Sequence, residues 1–239
     1  MIPRVIHYCW FGRGRKPRLA ERCIASWRRH LPDYELREWN EDNFDLDSYP
    51  YTREAYDRGK YAFVTDVVRL YALYHEGGIY MDTDVEVLRP LDEFLDREAF
   101  TGFETPEKVP TGIMASEPHG AWAKQLLDYY NGRHFVAPDG STDTTTNVTV
   151  ITRMMLDHGL RLDGTLQHLP GLVTIYPRDF FCPLAWGATD THFSANTATI
   201  HHFAGSWLPP LERFRRRHPR LYALLHRLRH PLTATNPHK

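Results

Sequence analysis

No stretch of this 239-residue chain approaches the roughly 18 consecutive apolar residues that a membrane span requires. Met1-Ile2-Pro3-Arg4 opens on a strand and lacks the apolar core of a signal peptide. Both absences lead to the expectation of a cytoplasmic protein. Cysteine is scarce: Cys9, Cys23 and Cys182 are odd in number and far apart, which excludes a disulfide framework and a zinc pattern and leaves buried thiols. With no exporting segment, the sequon Asn147-Val148-Thr149 reads as a chance match. Nothing before the tail has the composition of a disordered segment.

What is present suits a soluble globular chain, with 42% apolar residues and a length that favours one main domain. Charge is unevenly distributed. The net charge is −1, yet residues 209–239 carry seven arginines and Lys239 against Glu212, or +7, leaving −8 elsewhere. Within that tail Leu221, Leu224, Leu225 and Leu228 form an apolar stripe, and Pro219 suits the start of a helix. Two readings stay open for it: a terminal helix packed on the domain with a solvated basic face, or peripheral contact with an anionic membrane at its inner face. A nucleic-acid partner is not expected, because the acidic remainder repels a polyanion. The division expected is 1–208 for the main domain and 209–239 for a basic amphipathic helical tail.

The chain is organised around Gly77-Gly78-Ile79-Tyr80-Met81-Asp82-Thr83-Asp84-Val85. A helix ending at Glu76 is stopped by two glycines, which tolerate the left-handed backbone of a helix end. A strand then begins, and if it continues its period of two places Asp82 and Asp84 on one face, where one ion meets both carboxylates. Hard divalent cations such as Mg²⁺ and Mn²⁺ prefer such oxygen ligands, the rest being supplied by substrate phosphates. A solvated turn is the plainer reading of Asp-x-Asp. A calcium loop is a third, because Asp82, Asp84, Glu86 and Glu93 match EF-hand positions 1, 3, 5 and 12. Val87 stands where that loop needs glycine, and Val85 to Leu88 reads as strand.

From the start, Val5 to Phe11 reads as a buried strand, Arg18 to His30 as a helix facing inward through Leu19, Cys23 and Trp27, and Tyr34 to Trp39 as a second strand. This is the opening of an α/β sheet. Between them Gly12-Arg13-Gly14-Arg15-Lys16-Pro17 is either a phosphate-approaching loop or a solvated turn. Asn40 to Tyr56 reads as loop with a short helix, broken at Pro50. Lys60 to Glu76 is the best helix, carrying Asp66 and Arg69 three apart, which alone is an ordinary surface ion pair. Short elements follow: a helix around Leu91 to Leu95, strands over 99–103 and 111–116, helices from His119 to Asn131 and from Asn147 or a neighbouring threonine to His158, a strand over 173–176 and a last one over 199–203. The Gly, Ser, Thr and Asp loop 138–146 is long enough to be functional.

Four motifs in this order, Ile2 to Gly12, Tyr61 to Arg69, Gly77 to Val85 and His201 to Trp207, resemble the bacterial DXD-containing sugar transferases of glycosyltransferase family 32. That family includes capsular polysaccharide synthesis enzymes and is distantly similar to the large clostridial glucosylating toxins. The resemblance covers about residues 2–208 and implies a GT-A fold, a Rossmann-like central mixed sheet flanked by helices. It further implies a nucleoside-diphosphate sugar donor such as a UDP- or GDP-sugar, an Mn²⁺ or Mg²⁺ ion, and transfer with retention of configuration. Carried over by position, Asp82 and Asp84 match the metal and diphosphate motif, with Tyr80 preceding it. Asp66 and Arg69 match the pair that holds the donor sugar, and Trp10 an aromatic stacked on the base. His7, Tyr8 and Gly12 belong to the same donor-binding opening. Ser206 and Trp207 match a segment closing on the diphosphate, His202 a further metal ligand, and Asn147 a donor-site amide. In the toxins the ligand at the His202 place is acidic.

The chemistry is consistent: a cation held by Asp82 and Asp84 stabilises charge on the leaving diphosphate, while Asp66 stabilises positive charge on the sugar ring with Arg69 fixing orientation. No nucleophile or general base is assignable from sequence. The acceptor is a glycan, a lipid-linked saccharide or a small metabolite. Two rivals stay open, a sugar-nucleotide pyrophosphorylase using the Gly12 loop and a non-catalytic nucleotide-sugar-binding protein.

Overall fold

The computed structural model describes residues 1–184 and 192–205. Ser206, Trp207 and the basic segment 209–239 lie outside the described residues. Met1–Phe203 make one compact unit.

Strand β1 (Val5–Cys9), helix α1 (Arg18–His30) and strand β2 (Glu35–Trp39) form the β-α-β opening that the sequence predicts. Helix α1 buries Ala20, Cys23, Ile24 and Trp27, the i, i+3, i+4, i+7 spacing of one helical face. Pro50 does not break the following segment. It occupies the first turn of helix α2 (Pro50–Asp57), where a missing N–H costs nothing.

Helix α3 (Tyr61–His75) is buried more widely than its pattern suggests, through Val64, Val67, Val68, Leu70, Ala72 and Leu73. It ends where the glycine pair turns the chain, Gly77 at φ +67° and Gly78 at φ +102°. A Cβ on Gly77 would stand 2.6 Å from Pro118, and one on Gly78 2.7 Å from the carbonyl of Val5. Both glycines are therefore required twice over, for backbone conformation and for close approach.

Strand β3 (Gly78–Met81) then enters the sheet but stops before the acidic pair. The amide of Val85 donates to the carbonyl of Asp82 across 2.9 Å, so residues 82–85 form a turn rather than the continuous strand expected. Strand β4 (Val85–Val87) leaves the main sheet. A short 3-10 turn at Asp92–Phe94 leads to strands β5 (Ala99–Gly102) and β6 (Ile113–Ser116) and helix α4 (Ala121–Asp128). Helix α5 (Asn147–Asp157) is capped by Thr146, whose side chain accepts from the amide of Thr149. Strand β7 (Gln167–Leu169) carries no sequence signal, being short and polar, and exists through pairing with β8 (Val173–Tyr176). Helix α6 (Arg178–Phe181) and strand β9 (Thr199–His201) complete the described elements.

The main sheet has seven strands in the order β2-β1-β3-β6-β5-β8-β7, and β4 pairs with β9 in a separate antiparallel ribbon. In the main sheet β2, β1, β3, β5 and β8 run in one direction, with β6 and β7 against them. Helices α2, α3, α4 and α5 cover one face, where Tyr80, Met114 and Ile175 meet Val64, Trp122 and Ile151. Helix α1 and the segment 91–95 cover the other, packing Trp27, Leu91 and Phe94 on Ile79, Met81 and Phe100. This is the α/β architecture expected, a mixed central sheet flanked by helices. No helix among the described residues is long and apolar enough to cross a membrane.

Candidate active site

The parallel strands all end at one edge of the sheet, where open α/β sheets place their ligands. Asp82 follows β3 directly and shares the face of Tyr80, whose hydroxyl donates to Asp82 Oδ1 across 2.8 Å. The backbone amide of Asp82 is held by the carbonyl of Gly112 at 2.8 Å. From α3, Arg69 Nη2 stands 3.0 Å from Asp66 Oδ1 and Nη1 stands 3.6 Å from Asp82 Oδ1. The guanidinium lies over the Tyr80 ring, 4.6 Å from its centroid. Asp66 and Arg69 are each only 11% exposed at the side chain, so the pair is an interior one and not a solvated surface contact. Burial pushes the Asp66 carboxyl up to about 6, against Arg69, which favours its charged form. For Arg69 burial disfavours charge, but Tyr80, Asp82 and Asp66 outweigh it and hold the guanidinium above its ordinary range.

Asn147, the first residue of α5, is buried beside Asp66 and favours its charged form. No hydrogen bond of standard geometry reaches either polar atom of the Asn147 amide.

Asp82, Asp84 and His201 offer one ligand atom each, all within 4.8 Å of one another. His201 Nε2 is 3.4 Å from Asp84 Oδ1 and 4.0 Å from Asp82 Oδ2. The expectation placed His202 here, and the ribbon decides otherwise. In the β4–β9 register His201 pairs with Val85. Neighbouring residues of a strand point to opposite faces, so the ring of His202 turns away and meets Glu86 Oε2 at 2.7 Å. Sequence reading alone had no means of choosing between adjacent histidines.

Two carboxylates and an imidazole suit a divalent cation. The site's demand for positive charge is visible in His201: burial works against its proton, but Asp84, and further on Asp82, hold its pKa well above the ordinary value. A cation among these three atoms would take over the role of that proton.

The turn is fixed by residues that the motif does not mark. The indole N–H of Trp27 donates to the carbonyl of Val85 at 2.7 Å, and the amide of Val87 donates to Ser26 Oγ at 2.9 Å. A Cβ on Gly112 would stand 2.8 Å from Val85 Cγ2, 3.2 Å from Asp82 Oδ2 and 3.2 Å from the His201 ring. Glycine is what lets β6 approach the trio.

The opening segment departs from expectation. His7 is 0% exposed, with Nε2 2.7 Å from the carbonyl of Gly77 and Nδ1 3.0 Å from the indole nitrogen of Trp39. Tyr8 is buried against Trp27 and donates to Glu38 Oε2 at 3.0 Å. Burial pushes its hydroxyl up to about 12. Alternation along β1 sends the two side chains to opposite faces of the sheet, and because both faces are covered each is packed inside the protein. Trp10 lies past the end of β1, half-buried, with Lys16 Nζ 5.7 Å over its ring. Gly12, at φ +89°, donates its amide to Glu41 Oε1 at 2.6 Å. Two of the loop's three cations are paired, Lys16 with Glu38 at 2.7 Å and Arg13 with Asp42 at 2.7 Å.

Residues 17–101 match the family described as "Glycosyltransferase sugar-binding region containing DXD motif". The chain is 31% identical over 120 residues to inositol phosphoceramide mannosyltransferase 3 of Schizosaccharomyces pombe, covering 47% of this chain and 33% of that protein. It is 33% identical over 137 residues to inositol phosphoceramide mannosyltransferase 2 of the same yeast, covering 53% and 38%. The chain thus spans little more than a third of the length of these relatives. Among solved structures, a glycosyltransferase involved in glycosylation of the major capsid of PBCV-1 aligns with TM-score 0.46 and 12% identity over 90% of this chain and 98% of that one.

These relatives correct the cytoplasmic expectation, including its inner-face variant. By their names they are inositol phosphoceramide mannosyltransferases, and the chain matches only about a third of them. The first residues of this sequence therefore carry no inference about location. The sequon loses its original argument too, although Asn147 is only 4% exposed.

Proposed function

We propose that the chain transfers a sugar from a nucleoside-diphosphate donor to an acceptor hydroxyl, using a divalent cation, since residues 17–101 match a glycosyltransferase sugar-binding region containing a DXD motif. The observation that supports this most is the convergence of Asp82, Asp84 and His201 within 4.8 Å, at the sheet edge where α3 delivers Asp66 and Arg69. Asp82, Asp84 and His201 would hold the ion, which supplies Lewis-acid stabilisation for the leaving diphosphate. An imidazole is softer than the all-oxygen set preferred by Mg²⁺, which favours Mn²⁺.

The protein's own groups do the rest. Tyr80 and Arg69 orient Asp82, and Asp66 faces the donor sugar, its carboxylate countering positive charge on the ring. Trp10 offers its ring to the base on the β1 side. Mannose is the sugar to test first, because the relatives are mannosyltransferases. Retention of configuration rests on the family resemblance.

The test is thermal stabilisation by a panel of UDP- and GDP-sugars with Mn²⁺, followed by turnover of the best donor and the anomeric configuration of the product by NMR. Asp84→Ala is expected to abolish turnover with the fold intact. Unchanged turnover in that variant would sink the reading.

A further inference from the structure

The sheet order divides the carboxyl edge into two halves about Asp82. Strands β1 and β2 lie on one side of β3, with Trp10 and the Gly12 loop at their ends. On the other side lie β6, β5 and β8. Thr111 leads into β6, Glu104 follows β5 and Arg178 follows β8.

These three side chains share an unusual state. Thr111 is 3% exposed, yet among the described residues its hydroxyl has no hydrogen-bond partner, and Nε of Arg178 is buried without one as well. Among the described residues the Arg178 side chain is held through Nη2, which donates to the carbonyl of Leu184 at 3.0 Å. Glu104 is partly buried and makes no side-chain hydrogen bond or ion pair among the described residues. Interior polar groups are nearly always satisfied. Here two orphaned donors and an unpaired carboxylate gather beside the candidate cation site.

Their closeness to that site follows from several contacts. Thr111 donates its amide to the carbonyl of Gly102 at 3.0 Å, and its neighbour Gly112 accepts from the amide of Asp82 at 2.8 Å, so close to the site that a Cβ there would stand 3.2 Å from the His201 ring. The thiol of Cys182, beside His201, reaches the carbonyl of Glu104 at 3.8 Å. The Glu104 carboxylate feels His201, Asp82, Lys108 and Arg178, and its own pKa is raised, first of all by burial.

We propose that Glu104, Thr111 and Arg178 form the acceptor half of the groove, in which the Glu104 carboxylate accepts a hydrogen bond from the attacking hydroxyl. Thr111 and Arg178 hold the remaining polar groups of the acceptor. The class of acceptor that suits this set is a polyol, recognised by one carboxylate acceptor and two donors. This assignment rests on the glycosyltransferase reading, and no residue of the donor half takes part in it.

Glu104→Gln tests it, since the amide keeps the shape and loses the anionic acceptor. Water is the probe, as the smallest hydroxyl that can fill the acceptor half, and the readout is release of nucleoside diphosphate from the donor with Mn²⁺. The expected result is a roughly 10–100-fold fall in kcat, with donor affinity by calorimetry and melting temperature unchanged, because positioning of a nucleophile is lost while donor contacts stay. Glu104→Asp is expected to restore part of the rate. Wild-type protein that binds donor but releases no nucleoside diphosphate, or a Glu104→Gln variant as fast as wild type, overturns the assignment. Wild-type protein that binds no donor overturns the glycosyltransferase reading beneath it.

Discussion

The indole N–H of Trp39 donates to Nδ1 of His7 across 3.0 Å, inside the sheet. That bond fixes the tautomer, for Nδ1 must carry a lone pair and Nε2 the proton that goes to the Gly77 carbonyl at 2.7 Å. A second proton would set two donors against each other. Burial accordingly lowers the His7 pKa, although Gly77 and Glu76 work the other way.

Stability should therefore depend on pH through His7. A folded pKa below the unfolded value of about 6.5 means that the unfolded chain takes up the proton first. The contribution is complete above that value and is lost as pH falls below it, with a slope of at most about 1.4 kcal/mol per pH unit. Asp66, raised to about 6 by burial, acts oppositely and regains stability as pH falls through that value. Urea unfolding of wild type and His7→Gln between pH 8 and 5 separates the two, because only the His7 part vanishes in the variant. Parallel curves would refute the tautomer argument.

The two histidines of β9 make opposite predictions. His201→Ala should weaken Mn²⁺-dependent donor binding by at least the roughly 10–100-fold that loss of an outer partner costs. His202→Ala removes only a contact with Glu86 and should leave that binding near wild type. Calorimetric titration with Mn²⁺ and the best donor decides; equal losses in both variants would place the wrong ring in the site.

Gly112→Ala brings a methyl within 2.8 Å of Val85 and 3.2 Å of both Asp82 and His201. Overpacking of this kind costs about 1–3 kcal/mol. The melting temperature should drop and cation-dependent turnover should fall further than stability alone explains. Full activity at a temperature where the variant is folded would show that the approach of β6 is immaterial.

Arg69→Lys keeps the charge but loses the planar fork that spans Asp66 and Asp82 over Tyr80. Two interior carboxylates then share one point charge, and turnover is expected to fall while the fold is retained. Arg69→Ala leaves them unpaired and should cost about 3–5 kcal/mol of stability. Thermal melts of both variants beside wild type provide the comparison.

Much of this was legible in the order of residues. Local signals are enough where a stretch decides its own conformation: the limits of α1, the glycine stop after α3, and the run from Ile79 to Met81 follow from periodicity and backbone freedom alone. The acidic pair, with Asp66 and Arg69, was also recognisable as a motif. What the sequence could not settle depends on contacts between distant segments. Whether Asp66 and Arg69 are a surface pair or an interior one is decided by the packing of α3, and whether His201 or His202 faces Asp84 is decided by the β4–β9 register. The burial of both His7 and Tyr8, neighbours that face opposite sides of β1, depends on both faces of the sheet being covered. Trp27 and Gly112 matter only because α1 and β6 reach the Asp82 turn, and β7 exists only because β8 offers it an edge. Spacing along the chain determines which groups are available, while the packing of strands and helices brought together in space determines which of them meet.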